Sequence, residues 1–198
     1  MSNQISASQK RRAGILEAVL IEISKRGLTN TTVAHIREQS GASIGSIYHH
    51  FGNREGIMAA LYKACLEDCF TVMGSALKQI DHTETGIKVI VQTYLTWVEN
   101  EPQKASFVYD ASQGQLLRGY TDEIMMFKGQ LYQEIFTWIQ PRIERGELIA
   151  LPPWAYDAIV MGPAHEFSRR WLGGFREMSM ASAKTIIANA VWRAVRPE

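Results

Sequence analysis

The sequence predicts an all-α protein of about nine helices, in which a small N-terminal three-helix unit precedes a larger helical part. Apolar residues recur at spacings of three and four along nearly the whole chain, which is typical of amphipathic helices. The alternation of apolar and polar residues that marks a half-buried strand is lacking, as are internal repeats. Glycines and prolines divide the periodic stretches into separate elements.

Three helices are predicted in the N-terminal unit. The first ends at Gly27, and Thr31 or Thr32 provides the cap of the second. A third, short helix follows a cap at Ser43, and a long fourth helix begins near Asn53. The apolar face of the first helix comprises Ile15, Leu16, Val19, Leu20 and Ile23, and that of the fourth comprises Ile57, Leu61, Cys65, Cys69 and Met73.

Five more helices are predicted in the rest of the chain. Residues 78–86 are polar and predict a loop, and Pro102 predicts a break. Pro141 is expected near the end of a long helix, where it is a source of a kink. Pro153 suits the first position of the following helix. The expected helices lie at 87–100, around 105–109, from about 122, at 154–172 and at 179–195.

The charge of the chain is unevenly distributed. Residues 1–63 carry eight Lys and Arg against four Glu, although the net charge of the whole chain is only +1. Residues 64–198 carry thirteen basic and sixteen acidic groups. A basic N-terminal third on a nearly neutral chain indicates a polyanionic partner for that third.

Other features limit the class of protein. The chain opens without a charged-then-apolar leader, and no stretch approaches the ~20 apolar residues of a membrane span, so we expect a cytoplasmic protein with no membrane partner. Cys65 and Cys69 share one helix face and are interpreted as core residues, because no Cys or His stands nearby at ligand spacing; a redox switch or half a metal site are the alternatives.

No catalytic, metal or cofactor site is predicted. The chain has no His-Glu-x-x-His, no phosphate-binding loop and no Glu-x-x-His pair, and its five histidines are scattered. A helical enzyme remains one alternative. A helical ligand-binding or scaffold protein without a DNA function remains another.

The most informative segment runs from Thr32 to Ile57. Two short helices joined by Gly41-Ala42-Ser43 match the helix-turn-helix plan, since a glycine suits a left-handed helix end. Ile47 is spaced to pack inward, whereas the second helix projects short or polar side chains outward. In DNA-binding proteins of this plan, the second helix enters the major groove.

This segment resembles the TetR (tetracycline-repressor-like) family of transcriptional regulators. About a quarter of the chain is covered, and a dozen positions agree at fixed spacing. The chain departs from the family pattern at Arg37, Ala42 and Gly56. The matching residues are Thr32, Ile36, Gly41, Ser43, Gly45, Ile47, Tyr48, His50, Phe51, Arg54, Glu55 and Ile57.

The resemblance implies a DNA-binding role for individual positions. Phosphate contacts are expected from Thr32, Tyr48, His50 and Arg54, and Phe51 is expected to pack in the core. The tail residues 10–12 are basic and are expected to add backbone contacts. The base-facing residues are expected to be Ser43, Ile44, Gly45, Ser46 and His49.

For the C-terminal part, the resemblance implies a homodimer through the last two helices and an internal ligand site. A dimer would place two recognition helices about 34–36 Å apart on a near-palindromic operator. The Met and aromatic residues of this part recur at helical spacing and favour a small apolar or aromatic ligand. A stripe of this kind is more often part of an ordinary core than of a pocket. The expected ligand-binding residues are Tyr94, Trp97, Phe107, Tyr109, Met125, Tyr132, Phe136 and His165.

The expected protein is therefore a helix-turn-helix domain at residues 1–55 joined to a ligand-binding and dimerisation domain at residues 56–198. It is expected to be a regulator, released from its operator when a ligand binds the conformation in which the recognition helices are wrongly spaced. The long helix from Asn53 provides the covalent link between the two parts. The sequence leaves open the ligand, the operator and the choice between repression and activation.

Overall fold

A computed structural model describes residues 6–113 and 115–198, and within them the chain is helical, with no strand. The predicted all-α class is confirmed. Helix α8 is continuous but has three parts, of which the middle one, Asp157–Met161, is π-helical. The elements are α1 (Ala7–Arg26), α2 (Val33–Ser40), α3 (Ile44–Phe51), α4 (Arg54–Leu77), α5 (Thr83–Asn100), α6 (Pro102–Gln113), a 3-10 helix (Gln115–Tyr120), α7 (Thr121–Glu144), α8 (Pro153–Tyr156, Asp157–Met161 and Gly162–Leu172) and α9 (Met180–Val195).

Local capping rules account for the boundaries of the first three helices. Thr32, rather than Thr31, caps α2, because its side chain accepts a hydrogen bond from the His35 amide. The N–H of Gly41 donates to the carbonyl of Arg37 at the end of α2, in a left-handed conformation at φ 65° that a glycine adopts without strain. Ser43 caps α3 in the same way as Thr32 caps α2.

Two boundaries in the middle of the chain differ from the prediction. Helix α5 begins at Thr83, four residues before the predicted start, because the imidazole of His82 accepts from the Thr85 amide and serves as an unusual N-cap. The break predicted at Pro102 is confirmed, since α5 ends at Asn100, but α6 begins at Pro102 itself, about three residues before the predicted start, where the missing N–H of the proline costs no hydrogen bond. The segment 115–120, for which no helix is predicted, is 3-10 helical.

The later boundaries agree with the prediction. Pro153 opens α8 and Ser179 caps α9. Pro141 lies inside α7 near its end, and the kink there stays a prediction. Pro163, which lacks an N–H, follows the π-helical part of α8, so the regular α-helical hydrogen-bond ladder is interrupted at that point.

The described chain forms two compact units. The first contains the segment ending at Cys65 together with the segment Gln103–Met125, and the second contains Leu66–Pro102 and Met126–Glu198. The division falls inside α4, whereas the predicted domain boundary at residues 55 and 56 lies near the start of that helix. Helices α4 and α7 therefore each begin in the first unit and continue into the second.

The core of the first unit holds α1, α2 and α3 against the start of α4. The predicted apolar face of α1 is buried at Ile15, Leu16, Val19 and Ile23, and Leu20 is half-buried. Full burial of such a side chain stabilises a fold by about 1.5–3 kcal/mol. The residues that α2, α3 and α4 contribute, all with 0% exposure, include Ile36, Ile47, Ile57 and Met58.

The second unit has its core between α5 and α9. Along α5, the buried side chains are Ile87, Ile90, Val91, Leu95 and Val98, and the buried face of α9 consists of Ala183, Ala188, Val191 and Val195. The small alanines allow the two helices to approach closely. None of the described helices combines the length and apolar character that a membrane span needs.

Candidate nucleic-acid interface

Helix α3 is buried on one side and exposed on the other. Ile47 and Phe51 are 0% and 7% exposed and pack into the first unit. Ile44 and Tyr48 are 46% and 42% exposed, although both are large side chains. Gly45 and His49 are exposed as well. The outward face thus consists of the residues that the sequence predicts to contact DNA.

The N-terminal turn of α3 has the geometry of an anion-binding helix end. The side chain of Ser43, in an extended conformation, accepts a hydrogen bond from the Ser46 amide at 3.1 Å. Ser43 is exposed and Ser46 is half-buried. The remaining amides of this turn carry the positive end of the helix dipole, which favours a phosphate or a carbonyl oxygen of a base.

The turn before α3 is held by one buried residue. Ala42 is 3% exposed, and its amide donates to the Ser40 hydroxyl at 3.2 Å. A small apolar side chain fits this buried position, which accounts for alanine at one of the positions that depart from the family pattern. The turn is therefore rigidly connected to the core below α3.

Thr32 is exposed at the start of α2 and forms a reciprocal pair with His35. The Thr32 hydroxyl accepts from the His35 amide, and the His35 ring accepts from the Thr32 amide, both at 3.3 Å. This pair satisfies two amides at the helix end. The Thr32 hydroxyl retains its own proton, which is available to a phosphate.

Arg54 is engaged within the protein. Its Nε donates to the carbonyl oxygen of Thr31 at 3.2 Å, and its Nη2 donates to that of Leu28 at 2.8 Å. The guanidinium thus joins the start of α4 to the α1–α2 loop. A sequence pattern gives no sign of these contacts, since the partners are backbone atoms 23 and 26 residues away. The phosphate contact of Arg54 stays a prediction.

The two histidines at the end of α3 differ in exposure. His49 is exposed, whereas His50 is half-buried, with its ring 6.0 Å from that of Phe51. Phe51 also receives the guanidinium of Arg12, which lies 5.3 Å from the ring centroid. This cation–π contact, which the sequence does not signal, joins α1 to the end of α3.

Two cations of the first unit are engaged in an ion-pair cluster, whereas others in the described part of the chain remain free of acidic partners. Glu22, with 3% exposure, accepts from Arg26 at 2.7 Å and Lys25 at 3.0 Å. The bond from Arg26, followed by that from Lys25, lowers the pKa of Glu22. Among the described residues, the exposed cations Lys10, Arg11 and Arg37 have no acidic partner. These three remain available to a polyanion.

In the second unit, three of the predicted ligand-binding residues form one aromatic cluster. The rings of Tyr94 and His165 meet edge-on with centroids 4.9 Å apart, and Tyr94 stacks on Trp97 at 6.4 Å. The Trp97 Nε1 donates to Asp68 at 2.8 Å. Burial is the main cause that lowers the pKa of His165.

Of the remaining predicted ligand-binding residues, Tyr132 is linked to this cluster through Asp157, whose charge acts on the His165 ring. Tyr132 donates from its hydroxyl to Asp157 at 2.8 Å, and Phe136 meets the ring of Tyr156 at 6.0 Å. The sequence analysis does not name Asp68, Asp157 and Tyr156, which contact the predicted ligand-binding residues Trp97, Tyr132 and Phe136. In the first unit, Phe107 is buried, Tyr109 is half-buried and Met125 is 64% exposed.

Comparison with known proteins agrees with this geometry. A sequence model of the family described as "Bacterial regulatory proteins, tetR family" matches residues 15–61, which include α2 and α3. The HTH-type transcriptional regulator BetI of Paraburkholderia phymatum is 31% identical over 65 residues, and that of Paraburkholderia xenovorans is 34% identical over 58 residues. Residues 15–61 of the chain thus match the tetR family. The resemblance stated from the sequence alone is confirmed.

The sequence likeness is confined to the N-terminal part, whereas the likeness of fold extends over the chain. The two alignments cover 33% and 29% of this chain, and the chain spans about a third of the length of these curated relatives. A TetR family transcription regulator from Marinobacter aquaeolei has a TM-score of 0.78 at 16% identity, with 95% of this chain and 96% of that chain covered. FadR from Bacillus subtilis, solved in complex with stearoyl-CoA, has a TM-score of 0.74 at 17% identity over 90% and 96% of the two chains.

Proposed function

We propose that the protein is a DNA-binding transcriptional regulator, and specifically a repressor that a small ligand releases from its operator. The observation that carries the proposal is α3, whose inner face is locked in the core while Ile44, Gly45, Tyr48 and His49 face solvent. A short helix presented in this way within a tetR-type segment suits insertion into the major groove. The unpaired cations of the first unit supply sequence-independent attraction to phosphate.

Selection from a random duplex pool tests this proposal. We expect a near-palindromic consensus with half-sites about one helical turn apart. Tyr48→Phe should weaken binding to all duplexes by a similar factor, because it removes a hydroxyl assigned to a phosphate. His49→Ala should change the preferred bases instead. Failure to select any duplex in low-salt buffer would refute the proposal.

The exposed apolar residues of α8 and α9 support a homodimer. On α9, Ile186 is 53% exposed, and Ala190 and Ala194 are exposed although the opposite face of the helix is buried. Pro163 is exposed and Phe167 half-buried on α8. An apolar surface of this kind is compatible with a subunit interface, and a dimer is the assembly that a palindromic operator would need.

The oligomeric state can be tested by light scattering. We expect a dimer for the parent and a monomer for Ile186→Asp, which places a charge in the interface. The matched control is Gln133→Asp, at an exposed position on α7. Loss of dimer in the control, or a dimeric Ile186→Asp, would contradict the proposed interface.

The ligand is proposed to be a small apolar or aromatic molecule that binds in the second unit around Tyr94, Trp97 and His165. The support is their mutual contact and the burial that lowers the pKa of His165. FadR of Bacillus subtilis, which shares the fold, has an acyl ligand in its solved complex. Phenylacetate is a suitable probe of the proposed class, and stearoyl-CoA tests the larger acyl class seen in the FadR complex. A probe that raises the melting temperature should lower operator affinity, and His165→Ala should abolish both effects.

We propose no catalytic activity and a cytoplasmic location for the protein. The relatives are named as transcriptional regulators, and a regulator of this kind acts where its DNA is. Cys65 and Cys69 are both buried, which supports their interpretation as core residues.

A further inference from the structure

Gly56, in the first turn of α4, occupies a place where no other side chain fits. A Cβ at this position would lie 2.0 Å from the carbonyl oxygen of Phe51 and 2.8 Å from the hydroxyl of Tyr120. The first of these atoms is backbone at the end of α3, so it cannot move without moving the helix. The glycine that departs from the family pattern is therefore required by a close approach of three chain segments.

Asn53 connects the same three segments by hydrogen bonds. Its Oδ1 accepts from the Gly56 amide at 2.7 Å and from the Tyr120 hydroxyl at 3.4 Å. Its own amide donates to the Phe51 carbonyl at 2.9 Å. The hydroxyl of Tyr120 thus lies against the turn that links α3 to α4, although 67 residues separate it from Asn53 in the sequence.

Tyr120 lies next to the start of α7, so its contact with Asn53 joins α7 to the turn between α3 and α4. Tyr120 ends the 3-10 helix and directly precedes α7, and Glu123 in the first turn of α7 pairs with Lys63 of α4. Helices α4 and α7 both continue into the second unit. The starts of the two helices are therefore joined to each other at the end of α3.

We propose that Tyr120 is a positioning residue for α3. It acts through Asn53 and Gly56 and orients α3 for contact with bases. The inference rests on the proposed function. A displacement of the start of α7 would be passed to the end of α3 through this contact. Tyr120 lies outside residues 15–61, the segment that matches the family model.

The test compares Tyr120→Phe with the parent on the selected operator and on a scrambled duplex of the same length. The Tyr120 hydroxyl lies 3.4 Å from Asn53 Oδ1 at an exposed site, so loss of this hydrogen bond corresponds to about a twofold effect. We expect operator affinity to fall by about that factor while affinity for the scrambled duplex is unchanged. A merely structural role would lower the active fraction and reduce both affinities alike. Tyr62→Phe is the control, because the Tyr62 hydroxyl has no hydrogen-bond partner in the described chain.

Gly56→Ala, alone and combined with Tyr120→Phe, tests the role of the close approach of the chain segments at Gly56. Gly56→Ala should lower the ratio of operator to scrambled affinity by about tenfold or more, since it displaces the end of α3 from its base contacts. In Gly56→Ala the displaced end of α3 has already lost its contact with the Tyr120 hydroxyl, so the double variant should lose less than the product of the two single losses.

Three outcomes would overturn the inference and leave the proposed function standing. They are an unchanged ratio of operator to scrambled affinity in Tyr120→Phe, an equal loss of affinity on both duplexes, and multiplicative losses in the double variant. A parent chain that selects no duplex would overturn both.

Discussion

The contacts of Arg54 predict that it stabilises the first unit. Its guanidinium donates to two backbone carbonyls, those of Leu28 and Thr31, and Thr31 is 1% exposed. Hydrogen bonds from a charged donor contribute about 1.5–3 kcal/mol each when buried, and the half-buried position of Arg54 reduces this. We therefore expect Arg54→Ala to lower the local free energy of unfolding by about 2 kcal/mol, which is roughly a thirtyfold change in equilibrium constant.

Amide hydrogen exchange is the suitable assay, because all five tryptophans lie outside the first unit and tryptophan fluorescence would not report on it. The amide of Ile36, which bonds to the Thr32 carbonyl, should exchange about thirtyfold faster in Arg54→Ala. Exchange at Leu95 in α5 should be unchanged. Arg11→Ala removes an exposed arginine of the same unit and serves as the control. Parent-like protection at Ile36 in Arg54→Ala would refute this account of Arg54.

Three further predictions concern single positions. Ser43→Ala should lower the stability of the first unit by about 1 kcal/mol, because it removes the N-cap of α3; faster amide exchange along α3 would show this. Gly86→Ala should destabilise the second unit by about 1–3 kcal/mol in urea unfolding followed by tryptophan fluorescence, since its Cβ would lie 2.1 Å from the Trp138 ring. The pKa of Glu147 is lowered to about 2, mainly by the Arg145 hydrogen bond. The ionised Glu147 carboxylate therefore contributes its full stabilisation of the fold above about pH 5, and this contribution is lost as the pH falls toward 2. Between about pH 5 and pH 2, the free energy of unfolding of Glu147→Gln should fall less than that of the parent.

Much of the fold follows from local rules that a sequence displays. The cap at Ser43, the left-handed Gly41 and the inward face of α3 depend on neighbours within four residues, and each is predicted correctly. The same holds for the outward face of α3, because burial of Ile47 and Phe51 leaves only one direction for the others.

The features that the sequence does not reveal depend on partners far along the chain. Tyr120 and Asn53 meet across 67 residues, and Tyr132 meets Asp157 across 25. The start of α5 is missed for another reason, since His82 is an uncommon N-cap and its role is evident only from the geometry of its ring. Pairings of this kind are set by the packing of helices, which periodicity does not specify.

Guanine N7 methylation interference on the selected operator tests the central claim most directly. N7 lies in the major groove, so a helix that contacts bases there is blocked by the added methyl group. We predict two clusters of interfering guanines about one helical turn apart, and the Ile44→Ala variant should weaken interference within both clusters. Operator binding that is insensitive to N7 methylation would contradict the placement of α3 in the major groove.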